Sequence, residues 1–241
     1  MQVLLPLKEF AASKQRLAGV LSVTERACLL QSMVGDVLGV LTQHPDIKRI
    51  AICSRDRAAL WLANHFGVEF IDEQRTHAAD LNHAVNSAVR GLAAEGCDDI
   101  LVVHGDLPLL SAQDVSTFLL RHRSARAALS AVTIAPDRRG LGTNLLAWRP
   151  LQQFQTQYGA DSFAKHCAQA HALDAQLTIC ELPGARCDID EPEDLLLMLA
   201  KSNAGVAHHT VKFLNESGIA ERLQTLQIGS QEFVGVNREH G

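Results

Sequence analysis

The sequence predicts an α/β fold with a mostly parallel central sheet, and two observations predict it. Short β-branched or aliphatic runs alternate with longer segments of helical period, the pattern of successive βαβ units. One of those runs, Ile100-Leu101-Val102-Val103, is apolar on both faces, as strands covered by helices on both sides are. The chain of 241 residues, 47% hydrophobic and 20% charged, is long enough for one sizeable core.

Residues 2–7 read as the first strand, followed by a basic loop over residues 8–19. A long helix comes next, its start marked by Ser22 and Glu25 at capping-box spacing. Leu29, Leu30, Met33, Val34, Val37, Leu38 and Leu41 form one apolar stripe along it, wide enough to lie on a sheet. Residues 50–53 and 68–71 are the next strands, joined by a helix that carries Leu60, Trp61 and Leu62. Leu81, Ala84, Val85, Ala88, Val89 and Leu92 recur at helical spacing and predict a helix over residues 80–95.

After the apolar strand at 100–103, Ser111 and Asp114 repeat the capping-box spacing ahead of a helix that runs to about His122. Residues 127–134 and 143–148 read as strands flanking a polar turn at 136–142. A helix over 161–172, a strand over 177–182 and the segment Arg186-Cys187-Asp188-Ile189-Asp190 follow. Pro192 opens a helix over 191–200. Beyond Ser202 the pattern weakens to a helix at 208–216 and a short strand at 232–236, so the chain divides into a main domain, 1–201, and a C-terminal extension, 202–241.

A net charge of -5 argues against nucleic acid or an anionic membrane as the main partner, since either needs a dense basic surface. Six dispersed cysteines, without a C-x-x-C pair or zinc-ligand spacing, read as reduced thiols of a cytoplasmic protein. No export signal and no apolar run of about 18 residues stands in the sequence.

Candidate chemistry starts at Asp106, in His104-Gly105-Asp106-Leu107-Pro108-Leu109, directly after the apolar strand. Ligands of open α/β sheets bind beyond the carboxyl ends of strands, and a carboxylate there can hold magnesium or simply cap a turn. Asp188 and Asp190 are spaced to share one face of an extended segment and thus a cation, although Asp190 can equally cap the next helix with Glu193 closing the box. Lys8, Lys14 and Arg16 place three cations where a triphosphate could lie, without the Walker spacing. Asn82 could read a base or ribose edge. Gly140 and Gly142 permit close backbone approach to a ligand, and Gly159-Ala160-Asp161-Ser162 offers amides at a helix start. Among the histidines, His104 stands beside the key aspartate, with packing the simpler account of it.

In order along the chain, Leu5-Pro6-Leu7-Lys8, Ser13-Lys14-Gln15-Arg16-Leu17, Leu81-Asn82, Gly105-Asp106-Leu107-Pro108-Leu109, Ala135-Pro136-Asp137-Arg138, Gly142-Thr143-Asn144, Gly159-Ala160-Asp161-Ser162-Phe163 and Asp188-Ile189-Asp190 resemble the 2-phospho-L-lactate guanylyltransferase family. That family includes the phosphoenolpyruvate and 3-phospho-D-glycerate guanylyltransferases of coenzyme F(420) biosynthesis. The resemblance covers residues 1 to about 200 and implies a Rossmann-like nucleotidyltransferase core of the nucleotide-diphospho-sugar transferase type. It implies GTP and a small phospho-acid as substrates, Mg2+ held by Asp106, Asp188 and Asp190, and Thr143, Gly159 and Ser162 around the acid. An anionic phosphate nucleophile needs no general base, so Lys8, Lys14 and Arg16 would neutralise the leaving pyrophosphate. Members commonly end soon after the helix at 191–200, and His104 stands where a small or apolar residue is common. Two other readings stay open: a molybdopterin- or sugar-phosphate nucleotidyltransferase, many of which carry Gly-Gly where this chain has Phe10-Ala11-Ala12-Ser13, and a non-catalytic nucleotide sensor. The sequence also leaves a homodimer open.

Overall fold

The computed structural model describes residues 1–76, 80–125, 128–150, 152–202 and 206–225. Seven strands form one sheet in the order β3-β2-β1-β4-β6-β5-β7. They are β1 (Gln2–Pro6), β2 (Arg49–Ser54), β3 (Glu69–Asp72), β4 (Ile100–Val103), β5 (Ala131–Pro136), β6 (Thr143–Arg149) and β7 (Gln176–Ile179). All neighbouring pairs are parallel except those of β6, which runs antiparallel to both β4 and β5. The turn at 137–142 is too short for a crossover, so β6 folds back on β5 as a hairpin.

The helices are α1 (Val23–Gln43), α2 (Arg57–Phe66), α3 (Leu81–Ala94), α4 (Ala112–Ser124), α5 (Ser162–Ala172), α6 (Pro192–Lys201) and α7 (His208–Glu216). Alternation along the strands sorts them into two layers. Val3, Leu5, Leu101 and Val103 join a core with α1, α2, α4, α6 and α7, whereas Leu4, Ile100 and Val102 face α3, α5 and the fully buried Trp148. The capping boxes expected at α1 and α4 are both formed, Ser22 with Glu25 and Ser111 with Asp114. Trp61, on α2, is half exposed and stacks on His65.

Two strands, β5 and β7, depart most from the expected bounds. β5 starts at Ala131, after residues 128–130, and Ala127 lies outside the described residues. β7 stops at Ile179, although the amide of Cys180 still reaches Ile134 (2.8 Å). The strand expected at 232–236 also lies outside the described residues.

Helix α7 packs on α1. Asp36 of α1, itself buried, accepts hydrogen bonds from the amides of His209 (2.7 Å) and Thr210 (2.9 Å) and from the Thr210 hydroxyl. It thereby caps α7 from another helix. Among the described residues no helix is long and apolar enough to cross a membrane.

Candidate active site

β1 and β4 lie side by side at the middle of the sheet, and the chain leaves them toward opposite edges. A crevice opens at such a switch point, beyond the carboxyl ends of the two strands. The loop after β1 brings Lys8, Lys14 and Arg16 to it, and the loop after β4 brings Asp106.

Gly105 carries the chain from β4 to Asp106 through a gap that excludes any side chain. A Cβ there would fall 2.6 Å from Leu7 Cδ2 and 2.8 Å from Val34 Cγ2. The His104 amide donates to the Asn144 carbonyl (3.2 Å), and the Asp106 carbonyl accepts from the Ile189 amide (3.2 Å). Backbone hydrogen bonds therefore draw β6 and the Asp188–Asp190 segment to Asp106.

The loop after β1 is a pair of tight turns, Phe10–Ala12 and Gln15–Leu17, with Lys14 between them in the left-handed region (φ 54°). That conformation costs a lysine roughly 1–2 kcal/mol and needs fixing from outside. Phe10 and Leu17 are buried anchors. The Phe10 amide donates to Asp56 (2.8 Å), which also caps α2, and the buried Arg26 donates to the carbonyls of Leu21 (3.0 Å) and Ser13 (3.4 Å). So held, the Lys14 ammonium lies 2.5 Å from Asp106 Oδ2 and 2.9 Å from Asp190 Oδ1.

Lys14 and Asp106 keep each other charged. Burial alone would lower the pKa of Lys14, but Asp106 and Asp190 outweigh it and raise the pKa above the usual lysine value. Burial would likewise raise Asp106, but Lys14, with His104 beside it, holds its carboxyl below the usual range. Asp188 has no such cation among the described residues. Burial first, then the charges of Asp106 and Asp190, push its pKa up to about 6 against the hydrogen bond from Asn144. Asn144 Nδ2 donates to Asp188 Oδ1 (3.1 Å) and to the Ala185 carbonyl (2.9 Å), which ties β6 to the aspartate segment.

Asp190 does not cap α6. The amides of Asp190 (3.1 Å) and Glu191 (2.9 Å) both donate to Asp194, which Arg138 also contacts (2.9 Å). The cap therefore falls one residue later than expected, on Glu191 and Asp194 instead of Asp190 and Glu193. The Asp190 side chain is left for Lys14.

Among the described residues, no three His, Cys, Asp or Glu side chains are gathered closely enough to hold a metal by themselves. Lys14 occupies the place between Asp106 and Asp190. The donor set still suits magnesium, which commonly takes only one or two protein carboxylates and completes its shell with phosphate and water. Asp106 Oδ1 is buried without a hydrogen-bond partner, and Asp188 and Asp190 line the same cavity.

Thr143, Gly159 and Ser162 form the opposite rim. Thr143 is buried, with its hydroxyl 2.9 Å from Nδ1 of His166. Gly159 has φ 122°, a backbone shape that favours glycine. The first amides of α5 are already used, Ser162 on the Gly159 carbonyl (3.2 Å) and Phe163 on that of Leu141 (3.0 Å), so they differ from the open helix start expected. Asn82 differs too. Its amide accepts from the Tyr158 N–H (2.6 Å) and donates to the Tyr158 carbonyl (3.0 Å), which makes it a strut for the Tyr158–Gly159 segment. The ring of His104 tilts against Tyr158 at 4.9 Å. Burial lowers the His104 pKa and raises that of Tyr158.

Every expected site residue except Asn82 and Gly140 lines one cavity of about 740 Å³, a volume usual for small-molecule sites. Of the loop cations, Arg16 meets Glu191 at 3.3 Å, and Lys8 makes no ion pair among the described residues. Sequence reasoning missed Arg26, Asp56, Asp194 and His166, which shape the site from behind. Asp194 carried a local signal, the box spacing from Glu191, whereas the contacts of Arg26 with Ser13, Asp56 with Phe10 and His166 with Thr143 join separate segments and leave no local pattern. Asn144 stood within the Gly-Thr-Asn run, with its hold on Asp188 unread.

With this geometry described, comparison with known proteins is informative. The family described as guanylyl transferase, CofC-like, matches residues 1–231, beyond the expected boundary at 201. A phosphoenolpyruvate guanylyltransferase of Conexibacter woesei is 34% identical over 215 residues, covering 88% of this chain and 94% of that protein. A 3-phospho-D-glycerate guanylyltransferase of Phenylobacterium zucineum is 34% identical over 196 residues (80% and 87%). A 2-phospho-L-lactate guanylyltransferase of Methanothermobacter thermautotrophicus is 33% identical over 192 residues (80% and 81%). Among solved structures, a Desulfovibrio desulfuricans G20 protein assigned to the nucleotide-diphospho-sugar transferases superposes with a TM-score of 0.70 at 18% identity, covering 93% and 96% of the two chains. A cytidylyltransferase of Leptospira borgpetersenii gives 0.56 at 10% identity (90% and 94%). The structural likenesses establish the nucleotidyltransferase fold.

Proposed function

The chain belongs to the CofC-like guanylyl transferase family, and from that premise we propose that it condenses GTP with a phosphorylated three-carbon acid in the cytoplasm, on the route to coenzyme F(420). The acid is 2-phospho-L-lactate, phosphoenolpyruvate or 3-phospho-D-glycerate. A phosphate oxygen of the acid attacks the α-phosphorus of GTP. The new P–O bond forms as the bond from the α-phosphorus to the bridging oxygen breaks, and pyrophosphate leaves. The nucleophile is already anionic, so no proton has to be removed.

The observation that carries this reading is the meeting, in one cavity, of the basic loop, the three aspartates and the Thr143–Ser162 rim. Lys8 and Arg16, which line the cavity from the loop after β1, would offset the charge of the departing pyrophosphate. Lys14 differs from its expected part, because its ammonium is committed to Asp106 and Asp190. It holds Asp106 ionised and fixes both carboxylates in place. Asp106, with Asp188 or Asp190, would hold Mg2+, whose chemistry here is to neutralise phosphate oxygens. Thr143, Gly159 and Ser162 bind and orient the acid.

Pyrophosphate release tests this directly. The protein is mixed with GTP, magnesium and each of the three acids in turn. Release with at least one acid is expected. Silence with all three would overturn the proposal and favour a nucleotide sensor, and release with a sugar phosphate instead would reassign the acceptor.

A further inference from the structure

His166 does not line the cavity, yet its ring is fully buried and both of its nitrogens are engaged. Nε2 lies 2.8 Å from the backbone N–H of Gln157, which can only donate. Nε2 must therefore present a lone pair. A neutral imidazole with a lone pair at Nε2 carries its proton on Nδ1, and Nδ1 lies 2.9 Å from Thr143 Oγ1. The Thr143 hydroxyl thus accepts from His166. It has no other hydrogen-bond partner among the described residues, so its own hydrogen is left for the cavity that Thr143 lines.

We propose that His166 is a positioning residue, which fixes the Thr143 hydroxyl as a hydrogen-bond donor toward the phospho-acid and locks the Gln157–Gly159 turn on the same side of the site. The inference rests on the reading of Thr143 as an acid-binding residue. The carboxylate and ionised phosphate of such an acid present only acceptors at neutral pH, and a hydroxyl turned the other way would meet them with its lone pairs. The ring has little freedom to reverse. Phe154 packs against it at 5.8 Å and Tyr158 at 5.2 Å, edge to face. Burial, with smaller contributions from His104 and Lys165, pushes its pKa down to about 4, so it stays neutral at the pH of the cell.

The test is a double-mutant cycle read as KM for the acid and KM for GTP. Thr143→Val and His166→Gln should each raise the acid KM about tenfold or more, the effect of losing one hydrogen bond to a charged group, with GTP KM unchanged. His166→Gln keeps an acceptor near the Gln157 amide and removes the rigidly held ring Nδ1–H that Thr143 accepts. The double variant should be no worse than Thr143→Val alone, because a donor has value only while the hydroxyl exists. Full additivity would overturn the role of His166. An unchanged acid KM in Thr143→Val would instead overturn the reading of Thr143 itself. Long-range 15N NMR of the wild-type protein gives an answer without any variant: His166 should show the Nδ1–H tautomer, and a proton on Nε2 would overturn the proposal.

Discussion

Asp106 keeps its charge in surroundings that would otherwise remove it, and the cause is one lysine held in a left-handed turn. Asp106→Ala should lower guanylyl transfer roughly a thousandfold, as loss of a principal electrostatic group does. The fold should persist, because Asp190 still pairs the buried Lys14. Activity and a thermal melt on one preparation check both statements, and turnover that survives in excess magnesium would remove Asp106 from the metal site. His166 yields a pH prediction. Its folded pKa of about 4 lies below the unfolded value of 6.5, so the stability it contributes is present above pH 6.5 and is lost as pH falls toward 4. In urea titrations the wild type should lose up to about 1.4 kcal/mol per pH unit more than His166→Gln across that window. Parallel curves would mean that the ring protonates freely in the fold.

At the scale of elements, α7 depends on a cap supplied by Asp36, 173 positions before the first amide it receives. Asp36→Ala removes three acceptor contacts and should destabilise the protein by about 2–3 kcal/mol in urea unfolding. The KM for GTP should not change, and a loss under about 0.5 kcal/mol would show that α7 holds by its apolar contacts alone. This contact also marks where legibility ended. Helices α1, α3 and α4 could be read from apolar period and capping boxes, and β4 from its double-sided apolar run, because those signals are local. The pairing of β6 with β4 and the docking of α7 depend on partners far along the chain. The site divides in the same way. Asp106, the basic loop and the Gly-Thr-Asn turn follow strands and could be placed by that rule, whereas the commitment of Lys14 to two aspartates and of Asn82 to the Tyr158 backbone appeared only when the loops met.

For the whole molecule, the sheet order explains why these loops meet. Parallel β1 and β4 are neighbours, the chain continues from β1 toward β2 and β3, and from β4 toward the β6-β5-β7 side, so the loops that follow them part and leave a crevice. The Thr143–Ser162 rim comes from the antiparallel β6 and the start of α5, on the far side of β4 from β1. GTP and acid would thus be gripped by opposite halves of one sheet, and ligand binding should tighten the whole fold. At a GTP concentration 100 times Kd, with magnesium present, the folded state gains about 2.7 kcal/mol. For a chain of this size that raises Tm by roughly 5–10 °C. Differential scanning calorimetry with GTP and with CTP at equal concentration checks this, and the larger rise is expected with GTP. The rise should shrink when magnesium is chelated, because the triphosphate then meets Asp106, Asp188 and Asp190 without an intervening cation. Equal shifts with both nucleotides would show that the cavity does not select guanine, and a shift indifferent to chelation would count against the aspartates as magnesium ligands.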